Sequence, residues 1–308
     1  MCNELDMLQG DVDLDDIVDI NLDIDGKVMP TKHNKIALID ADTIAYTACL
    51  NVEVAGDVLG EDFHTKEEWE DIQSDPQYDA DEMLLYETCP VQALAKAQEK
   101  INRILDKTGC QTVELHFSGG RENFRYKLYP EYKANRTGRT PAGLQRLKKD
   151  LCELYNGTIH TEYEADDMVV YKVEKYKDKY ILCAIDKDVL NSVAGKNFNY
   201  YESALYNIEM KWVEVDRYAS MTWRYLQTLM GDKTDNIIGL KGIGPAKAQK
   251  ILKGKMSHKD LWLTVCDAYI MKGRTKDEAL MNLNLVDMKL LQDDGSIKLR
   301  THKELLSE

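Results

Sequence analysis

Lys35-Ile36-Ala37-Leu38-Ile39-Asp40 is a short apolar run that ends in an acid. Its length and continuity suit a strand buried on both faces of a parallel sheet, with Asp40 at the carboxyl end. Similar runs recur at Thr112–Phe117, Thr158–Thr161 and Tyr180–Ile185, and helical patterns lie between them at Pro90–Thr108, Pro141–Tyr155 and Ala165–Lys177. Strands alternating with helices predict an α/β domain with a mostly parallel sheet. Beyond about residue 217 the strand signals stop, and Ser220–Met230, Pro245–Lys253, Asp260–Met271 and Lys276–Leu285 read as short helices. The expected division is an acidic tail over 1–34, an α/β domain over 35–216 carrying an acidic insertion at 51–89, and a helical domain over 217–308.

Charge is distributed as unevenly as structure. The 308 residues hold 40 Lys and Arg against 54 Asp and Glu, a net of −14. Residues 1–90 hold 24 acids and 4 bases, net −20, whereas residues 91–308 hold 30 acids and 36 bases, net +6. Within that basic body, 119–150 carries 9 bases and 3 acids, and 241–276 carries 9 bases and 2 acids. Patches of that density bind polyanions despite the acidic total, because ions respond to the field within a Debye length of about 8–10 Å. No apolar run approaches the roughly 18 residues of a membrane span, and the first thirty residues lack a basic-then-apolar start. Seven scattered cysteines with no Cys-x-x-Cys pair suggest neither a disulfide framework nor a thiolate zinc site. The expectation is a chain of a reducing cytoplasm that neither crosses a membrane nor is secreted.

In open α/β sheets ligands collect at the carboxyl ends of strands. Asp40 and Asp42 follow the first strand, Glu164, Asp166 and Asp167 the third, and Asp186 and Asp188 the fourth. Asp232 and Asp235 precede a glycine-rich segment. A lone Asp after a strand is commonly a turn former or helix cap, and Glu164-Ala165-Asp166-Asp167 suits a helix start on its own account. Recurrence at three strand ends sets these acids apart. Unit charges of like sign 4 Å apart repel by about 4 kcal/mol at an effective dielectric of 20, so a converged cluster needs protons or cations. An all-oxygen set without His or Cys favours Mg²⁺ or Mn²⁺. Two such ions about 4 Å apart suit phosphodiester hydrolysis.

Two further stretches point to nucleic acid. In Gly231-Asp232-Lys233-Thr234-Asp235-Asn236-Ile237-Ile238-Gly239-Leu240-Lys241-Gly242-Ile243-Gly244-Pro245, the glycines permit a tight turn and Pro245 suits the first turn of a helix. A helix opened in this way binds phosphate through its backbone amides, and Lys241, Lys247 and Lys250 add charge. The run Phe124-Arg125-Tyr126-Lys127-Leu128-Tyr129-Pro130-Glu131-Tyr132-Lys133-Ala134-Asn135-Arg136 interleaves bases with tyrosines. That composition suits a strand end that is stacked and neutralised, although a solvated basic face has the same composition.

In this order the motifs resemble the flap endonuclease and 5′→3′ exonuclease family, most of all its bacteriophage members, over residues 35–290. They are Asp40, the Phe124–Arg136 stretch, Glu164-Ala165-Asp166-Asp167, Asp186-x-Asp188, Gly231-Asp232-x-x-Asp235-Asn236 with Gly242-Ile243-Gly244, and late in the chain Asn282-Leu283-Asn284-Leu285-Val286-Asp287. The resemblance implies a PIN-like, mostly parallel sheet flanked by helices and a C-terminal helical domain with a helix–three-turn–helix element. It implies two divalent ions (Mg²⁺ or Mn²⁺), with Asp40, Glu164, Asp166 and Asp186 matching ligands of the first and Asp167, Asp188, Asp232 and Asp235 matching residues that hold or support the second. Lys133 and Arg136 match catalytic basic residues of the gateway to the metals. Arg125, Tyr132, Lys133, Arg136, Lys241, Gly242, Gly244 and Lys247 are the expected DNA contacts, with a K⁺ ion on the hairpin carbonyls. Family members often carry an Asp after the second strand, where this chain has Phe117-Ser118-Gly119-Gly120, with Asp42 the nearest substitute.

The activity so implied is metal-dependent 5′→3′ hydrolysis of DNA at duplex ends, gaps or flaps, in replication or DNA degradation, with RNA–DNA hybrids as a further substrate. The setting is the cytoplasm of an infected bacterial host, the expected state a monomer, and phage replication proteins are expected partners of the acidic N-terminus. The rival is a catalytically silent, structure-specific DNA-binding protein. A third reading makes the acidic front a DNA mimic that fills the basic groove.

Overall fold

The computed structural model describes residues 32–57, 84–136 and 138–307. Most of the expected acidic tail and the central part of the acidic insertion lie outside the described residues. The strands are β1 (His33–Asp40), β2 (Glu53–Asp57), β3 (Leu84–Thr88), β4 (Cys110–Ser118), β5 (Thr158–His160), β6 (Tyr180–Ala184), β7 (Gly195–Asn199) and β8 (Lys211–Val215). Six form one sheet in the order β5-β4-β1-β6-β7-β8. All its neighbours are parallel except β8, which runs antiparallel at the edge. The chain builds outward from β1 first through β4 and β5, then returns to the other side of β1 with β6. The strand order therefore reverses beside β1, where a crevice opens at the carboxyl ends.

Strand β1 is buried on both faces because its side chains alternate between two cores. Ala37 and Ile39 pack with Leu115, Phe117 and Cys183 against helices Asp42–Leu50, Pro90–Thr108 and Leu144–Tyr155. Leu38 points the other way, with Leu182 and Ala184, onto Val169, Val170 and Val173 of helix Ala165–Lys175. Helix Pro90–Thr108 presents Ala93, Ala97, Ile101 and Ile104 at intervals of three and four, and Gly109 ends it in the left-handed conformation. A second core gathers Tyr225, Leu229, Leu261, Trp262, Val265, Tyr269 and Leu283 from the C-terminal helices Arg217–Met230, Pro245–Leu252, His258–Met271, Lys276–Val286 and His302–Leu305.

A buried ion pair fastens the helix on the sheet to the C-terminal helices. Arg125, 2% exposed, donates from both terminal nitrogens to the two oxygens of Asp167 at 2.6 and 2.7 Å, and from Nε to the Leu285 carbonyl at 2.8 Å. Short helix Phe124–Leu128, helix Ala165–Lys175 and helix Lys276–Val286 thus meet on one guanidinium.

Several elements differ from the sequence expectation. His33 and Asn34 belong to β1 rather than to the tail, and helix Asp42–Leu50 follows directly where no element was expected. Threonines and a missing capping side chain hide that helix; burial of Ile44, Ala45, Ala48 and Cys49 holds it. The ends of the acidic insertion are strands, β2 paired antiparallel with β3. Strands β7 and β8 went unread because Gly-Lys-Asn-Phe-Asn buries only Asn197 and Phe198, and the pairing of Phe198 with Trp212 is a long-range effect. Among the described residues no helix is long and apolar enough to cross a membrane.

Two consequences are testable. Arg125→Met leaves the Asp167 carboxylate buried without its partner and should cost about 3–5 kcal/mol in a urea unfolding experiment, with Asp167→Asn in the same chain recovering part of the loss. The second concerns acid. His116 lies 2.8 Å from His160 and 3.1 Å from Glu114, which also accepts from Lys172 and Tyr180. Burial raises the Glu114 carboxyl, but His116 and Lys172 outweigh it and bring it from 4.5 down to about 2. Burial and then the neighbouring His116 lower His160 from 6.5 to about 4. Both groups bind protons more readily in the unfolded chain, so their stabilisation is complete above pH 6.5 and is lost as pH falls towards 4 and then 2. Denaturant midpoints measured against pH should fall accordingly, and His160→Gln should flatten the part between 6.5 and 4.

Candidate metal centre and nucleic-acid interface

Asp40 ends β1, and β6 alongside leads into Asp186, so the two acids mark the strand ends at the switch in strand order. Asp186 caps helix Lys187–Ser192, its carboxylate accepting from the Asp188 amide at 2.7 Å. Glu164 caps helix Ala165–Lys175, and Asp167 closes the capping box by accepting from the Glu164 amide at 3.0 Å. Asp166 is thereby aimed from the first turn of that helix toward Asp40.

The acids fall into two classes. In the first, negative charge has no adequate counter-charge. Burial and then Asp42 raise the Asp40 carboxyl to about 7, and burial, Asp40 and Glu164 drive Asp166 far above the usual carboxylate range. Burial and then Asp186 raise Asp188 to about 7. One of its oxygens, Oδ1, is buried with no hydrogen-bond partner. Asp186 is raised by desolvation, then by Asp235 and Asp232. In the second class each acid has protein partners. Glu164 accepts from Lys133 Nζ at 2.5 Å and from Tyr132 Oη at 2.8 Å; burial raises its carboxyl, but the charges of Lys133 and Arg125 outweigh burial and hold it below its usual range. Asp235 accepts from Tyr132 at 2.8 Å and Arg136 at 2.6 Å. Asp42 accepts from Lys148 at 2.5 Å and from the Ser118 amide at 3.0 Å, so its charge is already balanced where it was expected to substitute for the family Asp.

This division tests the fit of a divalent cation. The donors are oxygens, Asp40, Asp166, Asp186 and Asp188 lack an adequate counter-charge, and Asp188 has an orphaned buried atom: these four, with Asp232 beside them, fit the ion by chemistry. Among the described residues no three His, Cys, Asp or Glu side chains converge into a ready-made ligand shell. Asp167 does not fit. It is 0% exposed and both oxygens are taken by Arg125, which corrects its reading as a ligand. The same pair removes Arg125 from the expected DNA contacts, and Tyr132, 2% exposed, offers no face for stacking a base.

Lys133 and Arg136 stand where a strand could reach the acids. Lys133 is a non-glycine residue with φ +56°, and burial, which lowers its ammonium, is outweighed by Glu164 and Asp235. Both residues line a cleft of 530 Å³ together with Arg121, Arg139, Lys148 and Tyr46. None of those four was singled out from sequence; the base count over 119–150 was the only signal for Arg121, Arg139 and Lys148, and Tyr46 had none.

The glycine-rich hairpin docks on the same stretch. Lys133 N donates to the Asp235 carbonyl at 2.9 Å, Asn135 to the Lys233 carbonyl at 2.6 Å, and Asn236 to the Glu131 carbonyl at 2.8 Å. The loop between Asp232 and Ile238 is pinched at its neck, where a Cβ on Gly231 would lie 2.2 Å from the Gly239 nitrogen. Gly242 has φ +77°, and a Cβ there would meet open space, as it would at Gly244. Lys241 and Lys247 are exposed beside them, with Lys247 Nζ donating to the Gly242 carbonyl at 2.9 Å.

Residues 76–219 match the family described as 5′-3′ exonuclease, N-terminal resolvase-like domain. Among curated proteins the chain is similar to the thermostable DNA polymerase I of Thermus thermophilus, 31% identical over 174 residues, covering 53% of this chain and 20% of the polymerase. It is similar to a 5′-3′ exonuclease of Buchnera aphidicola subsp. Schizaphis graminum, 27% identical over 183 residues, covering 56% and 63%. A flap endonuclease of Shewanella sp. strain MR-4 is 30% identical over 155 residues, covering 46% and 57%. The chain therefore spans less than two thirds of the length of each. Among solved structures, the T5 5′-exonuclease with bound zinc superposes with a TM-score of 0.50 at 21% identity, covering 63% of this chain and 81% of that one, a likeness of fold. By the matched region and the order of its acids, the chain is similar to the 5′-3′ exonuclease and flap endonuclease family.

Proposed function

We propose that this chain hydrolyses DNA phosphodiesters from a 5′ end, as an exonuclease and structure-specific endonuclease, with two Mg²⁺ or Mn²⁺ ions at the strand-end acids. The observation that carries the reading is that Asp40 and Asp188 are buried at neighbouring strand ends, with Asp188 Oδ1 left without a partner, beside a cleft lined by cations. Asp40, Asp166 and Asp186 would hold one ion, with Glu164 at its edge; Asp188 and Asp232, with Asp235, would hold or support the other. Bound there, the ions supply an activated water and neutralise charge on the phosphate.

The protein's own groups do the rest. Lys133, kept charged by its two carboxylates, and Arg136, half in solvent, steer the scissile phosphate toward the acids. The amides after Gly244, with Lys241 and Lys247, hold the duplex behind the cut without reading bases. The ammonium of Lys247 already rests on the Gly242 carbonyl, so a K⁺ ion on these carbonyls would share that acceptor. Hybrids of RNA and DNA fall within the same proposal, because the contacts are to backbone. A second reading, a silent DNA-binding protein, is favoured by one observation: the site has Ser118 in place of an acid, and Lys148 neutralises Asp42.

Both readings meet in one assay on 5′-labelled blunt, nicked and flapped duplexes with Mg²⁺ and with EDTA. Asp166→Asn or Asp186→Ala should lower cleavage by about a thousandfold or more while leaving binding near that of the parent. Metal-dependent cleavage that survives either change overturns the nuclease assignment, and a parent chain that binds without cutting establishes the silent reading. Lys133→Ala should cost about 10²–10³-fold in cleavage rate. Lys241→Ala and Lys247→Ala should weaken duplex binding and each reduce its salt slope by about one.

A further inference from the structure

Strand β4 ends at Ser118, and every polar group of that residue is engaged. Its amide donates to both oxygens of Asp42, at 3.0 and 3.2 Å, and its carbonyl accepts from Lys148 Nζ at 2.9 Å. Its hydroxyl oxygen accepts from the Ala165 amide at 3.0 Å. That last contact reaches the acid-bearing turn. Ala165 opens helix Ala165–Lys175, where the first amides have no carbonyl partner within the helix. The capping box satisfies the Glu164 and Asp167 amides, and Ser118 takes the Ala165 amide from the sheet side. Asp166 follows directly on this anchored residue.

The amide of Ser118 leads the other way, to Asp40. Asp42, which accepts from it, donates its own amide to Asp40 Oδ1 at 3.4 Å. A continuous run of hydrogen bonds therefore joins Asp40, through Asp42 and Ser118, to the residue before Asp166. Lys148, 5% exposed, clamps two members of the run, donating to Asp42 at 2.5 Å as well as to Ser118. Next in the chain, the Gly119 amide donates to the His160 carbonyl at 2.5 Å, and a Cβ on Gly119 would lie 2.7 Å from that oxygen, so the end of β4 is seated closely on β5. Because Ser118 is uncharged, it spans the two acids without adding to their repulsion.

We infer that Ser118 is a positioning residue for the strand-end acids. Its hydroxyl ties the first turn of helix Ala165–Lys175 to β1 and so fixes Asp166 relative to Asp40, while Asp42 and Lys148 hold Ser118 in place. Arg125 secures the same turn from its other side, through Asp167. The inference rests on the hydrolytic reading, because a fixed spacing of these carboxylates matters for holding a cation between them. Groups that orient ligands in this way govern metal affinity by about 10–100-fold.

Calorimetry with Mn²⁺ on the full chain, without DNA, tests it beside cleavage of 5′-labelled duplex. Ser118→Ala keeps the backbone contacts and removes the hydroxyl. It should weaken Mn²⁺ binding by about tenfold or more and lower kcat, with KM for DNA and the urea midpoint close to those of the parent. Ser118→Thr, which restores a hydroxyl, should recover most of both losses. Lys148→Met should act in the same direction, and the double variant should lose less than the product of the single losses, as residues on one path do. Strictly multiplicative losses overturn the role given to Lys148. Parental Mn²⁺ affinity and kcat in Ser118→Ala overturn the inference while the hydrolytic reading stands, as does an equal loss in Ser118→Thr or an effect confined to the urea midpoint. A parent chain that neither binds Mn²⁺ nor cuts overturns both.

Discussion

The buried pairing of Arg125 with Asp167 is the constraint on which the rest of the molecule depends. A guanidinium with almost no access to water stays charged only beside a carboxylate that is equally enclosed, and each ion is tolerable because of the other. Their bidentate geometry sets the first turn of helix Ala165–Lys175, and that turn in turn sets Glu164 and Asp166. The third donor of Arg125 reaches the Leu285 carbonyl, so the acids on the sheet and the helices of the C-terminal half are positioned by one side chain.

The parallel strands and the identity of the strand-end acids were legible because each depends on a local pattern. Lys35–Asp40 is apolar on both faces, and acids recur after three such runs. Partnership was not legible. Nothing in Glu164-Ala165-Asp166-Asp167 says which acid faces the site and which is consumed by a cation 42 residues away in the chain. Asp167 was read as holding or supporting a metal from its strand-end position and the family resemblance, Arg125 as a DNA contact from its basic run, and in the structure the two pair with one another. Tyr132 went the same way: a tyrosine among bases reads as a stacking surface, but its hydroxyl bridges Glu164 and Asp235 from inside the protein.

The two segments most suggestive of nucleic acid are about a hundred residues apart in sequence and are joined by backbone and side-chain hydrogen bonds. Lys133, Asn135 and Asn236 all make contacts across this joint. The acids and the hairpin thus belong to one surface rather than to two sites on separate domains. Asp232 and Asp235 lie on the hairpin side of that joint, and Lys133 and Arg136 on the other. A shift of the hairpin relative to the sheet would move counter-charges and acids together.

Lys133 holds its backbone in a conformation that glycine adopts freely and that costs a side-chain-bearing residue about 1–2 kcal/mol. Glycine would relieve that strain but would also strip the buried Glu164 of the ammonium resting on it, a loss of about 3–5 kcal/mol that outweighs the gain. The strained backbone is therefore held in place by the same ion pair that bridges the basic gateway and the acids behind it.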